Sequence, residues 1–512
     1  MNLKKIITGI LLGLSVPVMA DTAHDSVVWE KLKDNTARLQ IVGYVNPHPS
    51  MLGQASVWSV GAETMDRNYA IFDNYKEFLG QTGVGYARLQ SGWQRCEPEK
   101  GKYDFEWLDK HVEGCLEQGV QPWMCLCYGN KIYATEHDLG AAIFSEGPTM
   151  DAWVRYVKEV AKRYKGKVTM YEVWNEPERD EYPELYARLF VNTAKAIRSV
   201  DKDVKIAGFG AISPEHSYIR KALDKIQEYG GIKYMDYLTY HAYWPTPEDI
   251  TDEVLRLKED LAKYSPSIRL LQGETGCPAQ LEYGHALYSY EWTETSQAKW
   301  DCRNMLNHFR MGIPYSVFTM VDLHYGWMMQ SFGLLRMNLR KEFQYKRPKY
   351  YMVRNVTSVF DGSMKASEDI VIEHNSTKKV SAYALEKNGT KVGFAIWFNG
   401  EIPSNSLERD LLTLKVNGLG LKDPVYVDMI TGTIHSLASR RADVGFDNPE
   451  AAPERKNHPD FCKFNELPVW DAPILVIERS AIDIVETDPN KRTTDPFWLL
   501  GQIIRDDIIR CL

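Results

Sequence analysis

Short apolar runs alternate with amphipathic helical stretches over residues 38–362, and this alternation constrains the fold more than any other feature. The runs are rich in β-branched and aromatic residues, as strands are. They read LQIVGYVN, GYARLQSGW, QPWMCLCYGN, KVTMYEVWNEP, VKIAGFGAI, YLTYHAYW, IRLLQGETG and YSVFTMVDL. Helical spacing occurs between them at 103–119, 151–164, 183–200, 248–264 and 296–311. Eight strand–helix units predict a (β/α)8 TIM barrel. The alternative, a doubly wound open sheet, usually carries a Gly-rich phosphate loop, and none follows the first run.

A second domain is expected because 512 residues exceed the usual size of a single core. After residue 362 short strand-like segments are separated by Asn-Gly, Gly and Pro turns, which predicts an antiparallel β-sandwich over 363–485. We favour a role in supporting the barrel over an independent sugar-binding module. Residues 486–512 read as a polar linker and a short amphipathic tail, to which no function is assigned.

The N-terminus has the pattern of a secretory signal peptide over residues 1–20. A basic start is followed by a short apolar core and small residues that end at Ala20. The apolar core is too short to span a membrane. We therefore expect a periplasmic or secreted protein whose barrel domain occupies 21–362. The net charge of -8 and the lack of a basic stripe argue against a nucleic-acid partner.

Eight cysteines occur in the chain, and export would permit disulfides, but the sequence alone does not select a pairing. Cys125 and Cys127 lie on one face of a predicted strand, where they are poorly placed to bridge each other. A zinc site is one interpretation of this pair, and buried free thiols are the interpretation we favour.

Two glutamates end strands that lie three strand–helix units apart. Glu176 ends the fourth run and Glu274 ends the seventh. The C-terminal ends of barrel strands meet at one mouth, so both carboxyl groups are expected to face one pocket. Glycoside hydrolysis needs such a pair, one group to protonate the leaving oxygen and one to attack the anomeric carbon.

The neighbours of the two glutamates predict different roles for them. Arg88 ends the second run and Tyr243 ends the sixth, and both would favour the ionised form that a nucleophile requires at Glu274. Aromatic neighbours predict a raised pKa for Glu176, as a general acid requires. Asn175 is suited to bind a sugar hydroxyl beside the reacting carbon.

Further candidate substrate-binding residues come from the same strand ends and loops. The indole rings could stack on the C–H faces of a pyranose, and a histidine ends the sixth run. These residues are Trp93, His241, Trp244 and Trp327.

Four motifs in this order resemble glycoside hydrolase clan A, the retaining (β/α)8 superfamily. They are RLQSGW at 88–93, WNEP at 174–177, HAYW at 241–244 and GET at 273–275. The segments RCEPEKGKYDFEWLD and GLL…KRPKYYMVRN add to the resemblance, which covers roughly residues 38–362 and is nearest to family 39-like and family 5-like enzymes. It implies no metal or cofactor. It also implies an acid/base at Glu176, a nucleophile at Glu274, a 2-hydroxyl ligand at Asn175, support for the nucleophile from Arg88 and Tyr243, and a −1 subsite residue at His241.

The eighth run departs from the family pattern because it ends in TMVDLHYGW, where many members place a Trp. Trp327 could substitute from the loop, or Asp322 and His324 could shape a different pocket. The resemblance implies a bond with an equatorial leaving group, such as a β-D-glycoside, or an arabinofuranoside. Inserts at 130–148 and 323–346 favour a closed pocket over an open cleft. The sugar and the oligomeric state cannot be read from these motifs.

Structural roles compete with the functional ones at several positions. Glu172 is expected to pair with a basic side chain inside the barrel, for which Arg88 is a candidate, and Glu178 is expected to be solvated near a helix start. Glu176 and Glu274 could form a structural ion-pair site at the rim. His241 could be a core histidine, and Trp93 and Trp244 could be rim packing.

Two other functions compete with a glycosidase that uses no metal. A metal-dependent barrel hydrolase would want several His and Asp residues at strand ends, where this chain has one well-placed His. A non-catalytic carbohydrate-binding protein on a barrel scaffold is the stronger alternative. The presence of both carboxylates argues against it.

Overall fold

The computed structural model describes residues 39–52, 56–63, 65–133, 146–180, 182–214, 216–326, 328–437, 441–442 and 461–486. The predicted signal peptide, residues 487–512, Trp327 and Cys511 lie outside this part of the chain, as does most of the predicted insert at 130–148. No helix among the described residues combines the length and apolarity needed to cross a membrane.

Eight parallel strands close into a barrel, which confirms the predicted fold class. In chain order, barrel strands 1 to 8 are Trp58–Gly61, Tyr86–Gln90, Gln121–Leu126, Met170–Val173, Lys205–Ala211, Tyr237–His241, Arg269–Thr275 and Tyr315–Val317. Strand 8 pairs with strand 1 and closes the ring. The strands are almost wholly buried because helices cover the barrel from outside.

The α-helices of the described chain have their apolar faces on the barrel or on the second domain. Amphipathic spacing predicted five of them, and their ends differ by a few residues from those predicted. The helices are Lys76–Leu79, Trp93–Cys96, Glu106–Glu117, Gly147–Arg163, Pro183–Val200, His216–Glu228, Thr251–Tyr264, Glu294–Arg310 and Pro348–Val359.

The first predicted barrel strand is wrong. Ile41–Val45 lies in the antiparallel sheet of the second domain, between Thr433–Ser436 and Ile484–Glu486. Trp58–Gly61 takes the first place in the barrel instead. Every residue of Trp58–Gly61 is buried, as expected for a parallel barrel strand, whereas Ile41–Val45 is only partly buried. The predicted strands 2 to 8 keep their places, so Glu176 and Glu274 follow strand 4 and end strand 7.

The second domain consists of two antiparallel sheets, as the turn-rich texture predicts. The larger sheet has the spatial order Met364–Ser367, Val380–Lys387, Thr390–Phe398, Ile474–Glu478, Pro424–Asp428, Thr433–Ser436, Ile41–Val45 and Ile484–Glu486. The smaller has the order Val371–His374, Asp410–Asn417, Phe461–Val469 and Arg441–Ala442. Two short hairpins follow barrel strand 8, namely Leu323–His324 with Met329–Gln330 and Leu335–Met337 with Phe343–Lys346.

Buried polar contacts join the sandwich to the barrel. The Arg303 guanidinium on helix Glu294–Arg310 donates to both oxygens of Glu248, at 2.9 Å to Oε1. Trp397 of the larger sheet donates to the same Oε1 at 2.7 Å. Nearby, Lys299 Nζ pairs with Asp471 Oδ1 at 2.6 Å. The sandwich is therefore anchored to the barrel by charges that are shielded from water.

A groove of about 480 Å³ at this junction is lined by Phe398 and Trp470 among other residues. Cations already occupy the faces of both rings. Arg409 lies 3.9 Å and Lys299 4.5 Å from the Trp470 ring, and Lys378 lies 4.8 Å from that of Phe398. These cations would compete with a sugar ring for the aromatic faces, and the supporting role of the sandwich stays a prediction.

All seven cysteines in the described part of the chain are buried free thiols. This agrees with the interpretation favoured for Cys125 and Cys127. Burial raises the pKa of Cys115 to about 12 and raises that of Cys125 well above its usual value. Such thiols are unreactive and pack as small apolar side chains.

Candidate active site

Glu176 is held at the mouth by an unusual backbone path. Both Trp174 and Glu176 have positive φ angles, 71° and 54°. The Glu176 amide donates to the Gly210 carbonyl at 2.8 Å, and the Trp174 amide donates to that of Leu126 at 3.1 Å. Left-handed backbone at non-glycine residues costs about 1–3 kcal/mol each and persists where neighbours fix it. These bonds to adjacent strands turn the Glu176 side chain into the pocket, where its carboxyl group is 10% exposed.

Glu274 is held by two donors at once. The Tyr243 hydroxyl donates to its Oε1 at 2.7 Å, and Arg88 Nη1 donates to its Oε2 at 2.7 Å. Its side chain is 12% exposed, so most of it is shielded from water. Charged and phenolic donors favour a carboxylate over a carboxylic acid. The predicted support for this residue from Arg88 and Tyr243 is present in the geometry.

His241 connects the two carboxyl groups. Its Nδ1 lies 3.1 Å from Glu176 Oε1, and its Nε2 lies 3.9 Å from Glu274 Oε2. Burial works to lower the pKa of His241, but the charge of Glu274 and the bond to Glu176 outweigh burial and raise it. His241 therefore contacts both glutamates of the pocket, and its side chain is fully buried.

The two glutamates approach closely enough for a retaining mechanism. One oxygen of each carboxyl group and one ring nitrogen of His241 all lie within 4.8 Å of one another. Carboxyl groups stand about 5–5.5 Å apart in retaining glycosidases and about 6.5–9.5 Å apart in inverting ones. An inverting pair is wider because it needs room for a water between the carboxylate and the sugar.

Arg88 also binds two residues close to Glu176 in sequence, Glu172 on strand 4 and Asn175 after it. Its Nε and Nη2 donate to Glu172 Oε2 at 2.9 and 2.6 Å, and its Nη2 donates to Asn175 Oδ1 at 2.7 Å. Glu172 is thus the buried partner of a basic side chain, as expected. The bond to Arg88 fixes the Asn175 amide through its oxygen, and the binding of a sugar hydroxyl by Asn175 stays a prediction.

The predicted aromatic surfaces differ in outcome. Trp93 is wrong as a stacking surface because its side chain is fully buried. Its ring packs between Tyr133 and Tyr156, with centroids 5.2 and 5.8 Å away, and its Nε1 donates to Glu97 Oε2 at 2.6 Å. Trp244 is partly buried beside Tyr243, so its role stays a prediction. Trp327 lies outside the described residues.

Of the two polar residues after strand 8, Asp322 is engaged by a buried arginine, and a role for the His324 side chain stays a prediction. Asp322 is fully buried and receives two bonds from Arg347, at 2.6 and 3.0 Å. The His324 amide donates to the Tyr69 carbonyl at 2.8 Å, so its backbone is used to attach the loop.

Glu178 is not the solvated charge that was expected. Its Oε1 accepts the Ile212 amide at 3.1 Å. Burial raises the pKa of Glu178 to about 7. The short 3-10 turn Pro177–Asp180 folds this side chain under the loop after strand 5, which strand spacing alone does not reveal.

Sequence reasoning missed Glu63, which follows barrel strand 1. Its side chain is 1% exposed, and its Oε2 accepts from Arg88 Nη1. A Cβ on Gly61 would lie 2.5 Å from Glu63 Oε1, so a larger residue there would displace the Glu63 carboxyl group. The signal that could have located Glu63 is the short run VWSVGAET, which contains it and reads as a strand.

An aromatic cluster that contains Tyr325, a neighbour of Glu274, was also missed. The rings of Tyr69 and Tyr325 have centroids 4.3 Å apart, and His285 lies 4.7 Å from Tyr325. Arg67 lies 5.0 Å from the Tyr69 ring. Burial raises the pKa of Tyr325, and the charge of Glu274 adds to the rise. Tyr325 comes from the loop after strand 8, where the resemblance led us to expect a Trp.

Glu176, His241 and Glu274 are also of the residue types that bind metal ions. The bonds from His241, Tyr243 and Arg88 already engage their oxygens. Carboxyl oxygens that accept hydrogen bonds in this way are typical of an acid–base pair rather than of metal ligands. Independence from metal ions stays a prediction, which activity in the presence of EDTA would test.

A closed (β/α)8 barrel with a close carboxyl pair after strand 4 and on strand 7 defines the architecture of the clan A glycosidases. Residues 90–268 match the family model described as "Glycosyl hydrolases family 39". This segment includes Glu176 but ends before Glu274. Together with the solved structures below, the match confirms the predicted resemblance to clan A and, within it, to family 39.

Solved structures of family 39 enzymes share the fold. A family 39 glycoside hydrolase from Bacteroides cellulosilyticus superposes with a TM-score of 0.61 at 16% identity, over 83% of this chain and 81% of its own. A monomeric β-xylosidase from Caulobacter crescentus gives a TM-score of 0.54 at 13% identity, over 85% and 97%. A family 39 enzyme from Xanthomonas axonopodis pv. citri gives 0.52 at 14%, over 85% and 95%.

One curated relative matches over a short stretch. The β-galactosidase BgaH of Haloferax lucentense is 38% identical over 48 residues. The match spans 9% of this chain and 7% of that protein. It adds a local likeness to a glycosidase and does not extend to the whole enzyme.

Proposed function

We propose that this protein is a retaining glycoside hydrolase that cleaves β-linked O-glycosidic bonds in oligo- or polysaccharides. The observation that carries the proposal is the close approach of Glu176 and Glu274, whose oxygens lie within 4.8 Å of each other and of His241. Their different partners assign the two roles. Glu274 has the donors that suit a carboxylate, and Glu176 has a histidine that can exchange a proton with it.

The geometry supports a double displacement. A Glu274 oxygen attacks the anomeric carbon while Glu176 gives its proton to the departing oxygen, which leaves a glycosyl-enzyme ester and an ionised Glu176. Glu176 then takes a proton from the incoming water, whose oxygen attacks the same carbon and releases Glu274. We assign Asn175 to the 2-hydroxyl, and the charge of Glu274 and the bond to Glu176 raise the pKa of His241 beside the two glutamates.

Turnover of aryl glycosides tests this function. The panel should include aryl β-xylosides and β-galactosides, since those are the activities named for the Caulobacter and Haloferax proteins, together with other aryl β-glycosides and plant and microbial polysaccharides. We expect wild type to hydrolyse at least one substrate and Glu274→Gln to lose at least about 10³-fold in kcat. Azide should restore turnover to Glu274→Ala and give a glycosyl azide of inverted configuration.

The same experiment separates the enzyme from the alternative of a carbohydrate-binding protein. A binder would retain saccharides without turnover, and Glu274→Gln would then bind them as wild type does. Glu99→Gln is a matched control because Glu99 is 66% exposed and pairs with surface Lys102. Turnover that survives in Glu274→Gln would remove the nucleophile role.

We also propose that the enzyme is exported, with cleavage after Ala20. The basis is the signal-peptide pattern of residues 1–20. Expression in a bacterial host with fractionation, followed by N-terminal sequencing, tests it. A mature protein that starts at Asp21 in the periplasm or medium is expected, and an uncleaved protein retained in the cytoplasm would contradict it.

A further inference from the structure

Arg88 donates to more carboxyl groups than its single charge can neutralise. Its five N–H groups are divided among four residues, with Nε and Nη2 directed to Glu172 and Asn175 and Nη1 shared by Glu63 and Glu274. Arg88, Glu63 and Glu172 are at most 1% exposed. Three carboxyl groups thus surround one guanidinium in a nearly dry volume.

Two of these three carboxyl groups, those of Glu172 and Glu274, accept hydrogen bonds from donors that stabilise a carboxylate. Glu172 receives two bonds from Arg88 and one from the Thr239 hydroxyl. Glu274 receives Arg88 and Tyr243, and double displacement requires its ionised form. Glu63 shares Nη1 with Glu274, so that a charge on Glu63 would face a like charge across one nitrogen. Like charges that share a buried site keep one group protonated.

The electrostatics around Glu63 point in the same direction. Burial raises its pKa to about 8 against the lowering effect of Arg88, and the charges of Glu274 and Glu172 add to the rise. His241 opposes it. An ionised Glu63 would also raise the pKa of three phenols, those of buried Tyr75 and of partly buried Tyr243 and Tyr325. Arg88 and His241 are the cations among these groups, and four of the carboxyl groups around them belong to Glu63, Glu172, Glu176 and Glu274.

We propose that Glu63 is a positioning residue that stays in its carboxylic acid form while the enzyme works, which leaves the charge of Arg88 to Glu172 and Glu274. The proposal rests on the role of Glu274 as nucleophile. A carboxylic acid can accept the Arg88 bond through one oxygen without adding a negative charge. Glu63 therefore holds the Arg88 guanidinium in place from strand 1, while the positive charge of Arg88 stays available to Glu274 Oε2.

The pH dependence of stability tests the protonation state without any substrate. A carboxyl group whose pKa is raised in the folded protein holds a proton that the unfolded chain has lost, so its stabilising effect is complete below about pH 4.3 and disappears as pH rises to about 8. Glu63→Gln keeps the neutral shape and lacks this titration. We expect its Tm relative to wild type to rise by about 3–5 °C between pH 5 and pH 8.5.

The control for this measurement is Glu99→Gln, which removes an exposed carboxyl group. Its Tm difference from wild type should stay constant within about 1 °C over the same range. A constant difference for Glu63→Gln as well would show that Glu63 is ionised at pH 5 and would overturn the proposal. If Glu63→Gln does not fold, infrared difference spectra of wild type between pH 6 and pH 9 replace it. A carboxylic acid band that is lost on raising the pH, and is absent from Glu63→Leu, is expected. A spectrum in which wild type and Glu63→Leu agree would overturn the proposal.

Kinetics then test the positioning role. At pH 6 we expect kcat/KM to fall by at most about threefold in Glu63→Gln and by at least tenfold in Glu63→Ala, mainly through kcat. Equal losses in the two variants would mean that the acid form is not what matters. A wild type with no turnover on any substrate would defeat the proposed function instead, and the stability measurement would still decide how Glu63 is protonated.

Discussion

The hydrogen bonds around the two pocket carboxyl groups differ in kind. Glu274 accepts from a guanidinium and a phenol, while Glu176 faces an imidazole that can hold or release a proton. Identical side chains therefore acquire different chemistry from residues on strands 2 and 6 and the segments that follow them. This difference is visible only when the strands are assembled.

Glu176→Ala should separate substrates by leaving group. Hydrolysis of an alkyl or sugar aglycone needs the proton and should fall by about 10²–10⁴-fold, whereas a dinitrophenyl aglycone leaves unaided. Release of the glycosyl-enzyme should then limit the rate, and azide should accelerate it. The measurement is kcat/KM across a leaving-group series. Glu184→Ala, at the exposed start of the next helix, is the control, and an equal loss for all aglycones would contradict the acid role.

Arg88→Lys should be severe despite the conserved charge. An ammonium group has three donors, so it cannot replace the five N–H bonds of the guanidinium, and at least one buried carboxyl group loses its partner. We expect kcat/KM to fall at least 10²-fold and the free energy of unfolding to fall by about 3–5 kcal/mol. Urea unfolding and kinetics measure the two effects. Arg256→Lys, at a side chain that is 59% exposed, should change neither, and a mild Arg88→Lys phenotype would show that charge alone suffices.

At the level of elements, strands 2 to 8 of the barrel could be predicted because each is a β-branched or aromatic run followed by a helix with regular spacing. Strand 1 could not, since two adjacent runs compete for the same place. Both Ile41–Val45 and Trp58–Gly61 fit a strand, and only pairing with Thr433–Ser436 or with Tyr86–Gln90 distinguishes them. That pairing is a property of the tertiary structure, which local pattern does not encode. Because Trp58–Gly61 was not predicted as strand 1, Glu63, which follows it, was not predicted as a site residue.

Gly43 in Ile41–Val45 allows the close approach of its neighbouring strand. A Cβ at this position would lie 2.6 Å from Ile484 Cγ2 and 2.7 Å from the Val485 carbonyl oxygen. Gly43→Val should therefore lower the free energy of unfolding by about 1–3 kcal/mol, without a change in kcat of the folded enzyme. Thermal unfolding measures the loss.

The control for this substitution is Gly101→Val. Gly101 has open space around its Cα and a φ of 76°, so that only backbone strain is added there. A Gly43→Val protein that is more stable than the Gly101→Val protein would show that the strand is loosely paired.

For the whole molecule, the presence of a sandwich could be predicted from turn-rich composition, but its attachment to the barrel could not. Trp397 and Arg303 both donate to Glu248, and the three residues lie far apart in the chain. Nothing in the local sequence of any of the three marks the partner. The hydrogen bonds of the active site could likewise not be predicted. The motifs placed Arg88 and both glutamates at one mouth of the barrel, but they did not reveal which carboxyl groups Arg88 binds.

Glu248→Ala should weaken the joint between the two domains. It leaves Arg303 buried without its carboxylate, which typically costs about 3–5 kcal/mol. We expect wild type to unfold in one transition and Glu248→Ala in two, as followed by near-UV circular dichroism and by activity. Glu99→Ala, which breaks an exposed pair, should cost less than about 1 kcal/mol. One transition of unchanged midpoint in Glu248→Ala would mean that the domains are joined mainly by apolar contacts.

The placement of Ile41–Val45 has a consequence for biosynthesis. This strand leaves the ribosome before any part of the barrel, yet its partner Thr433–Ser436 is made only near the end of the chain. At usual elongation rates the strand waits on the order of tens of seconds with its edges unpaired. The nascent chain therefore carries an open strand edge throughout barrel synthesis, and holding chaperones would find their binding site there.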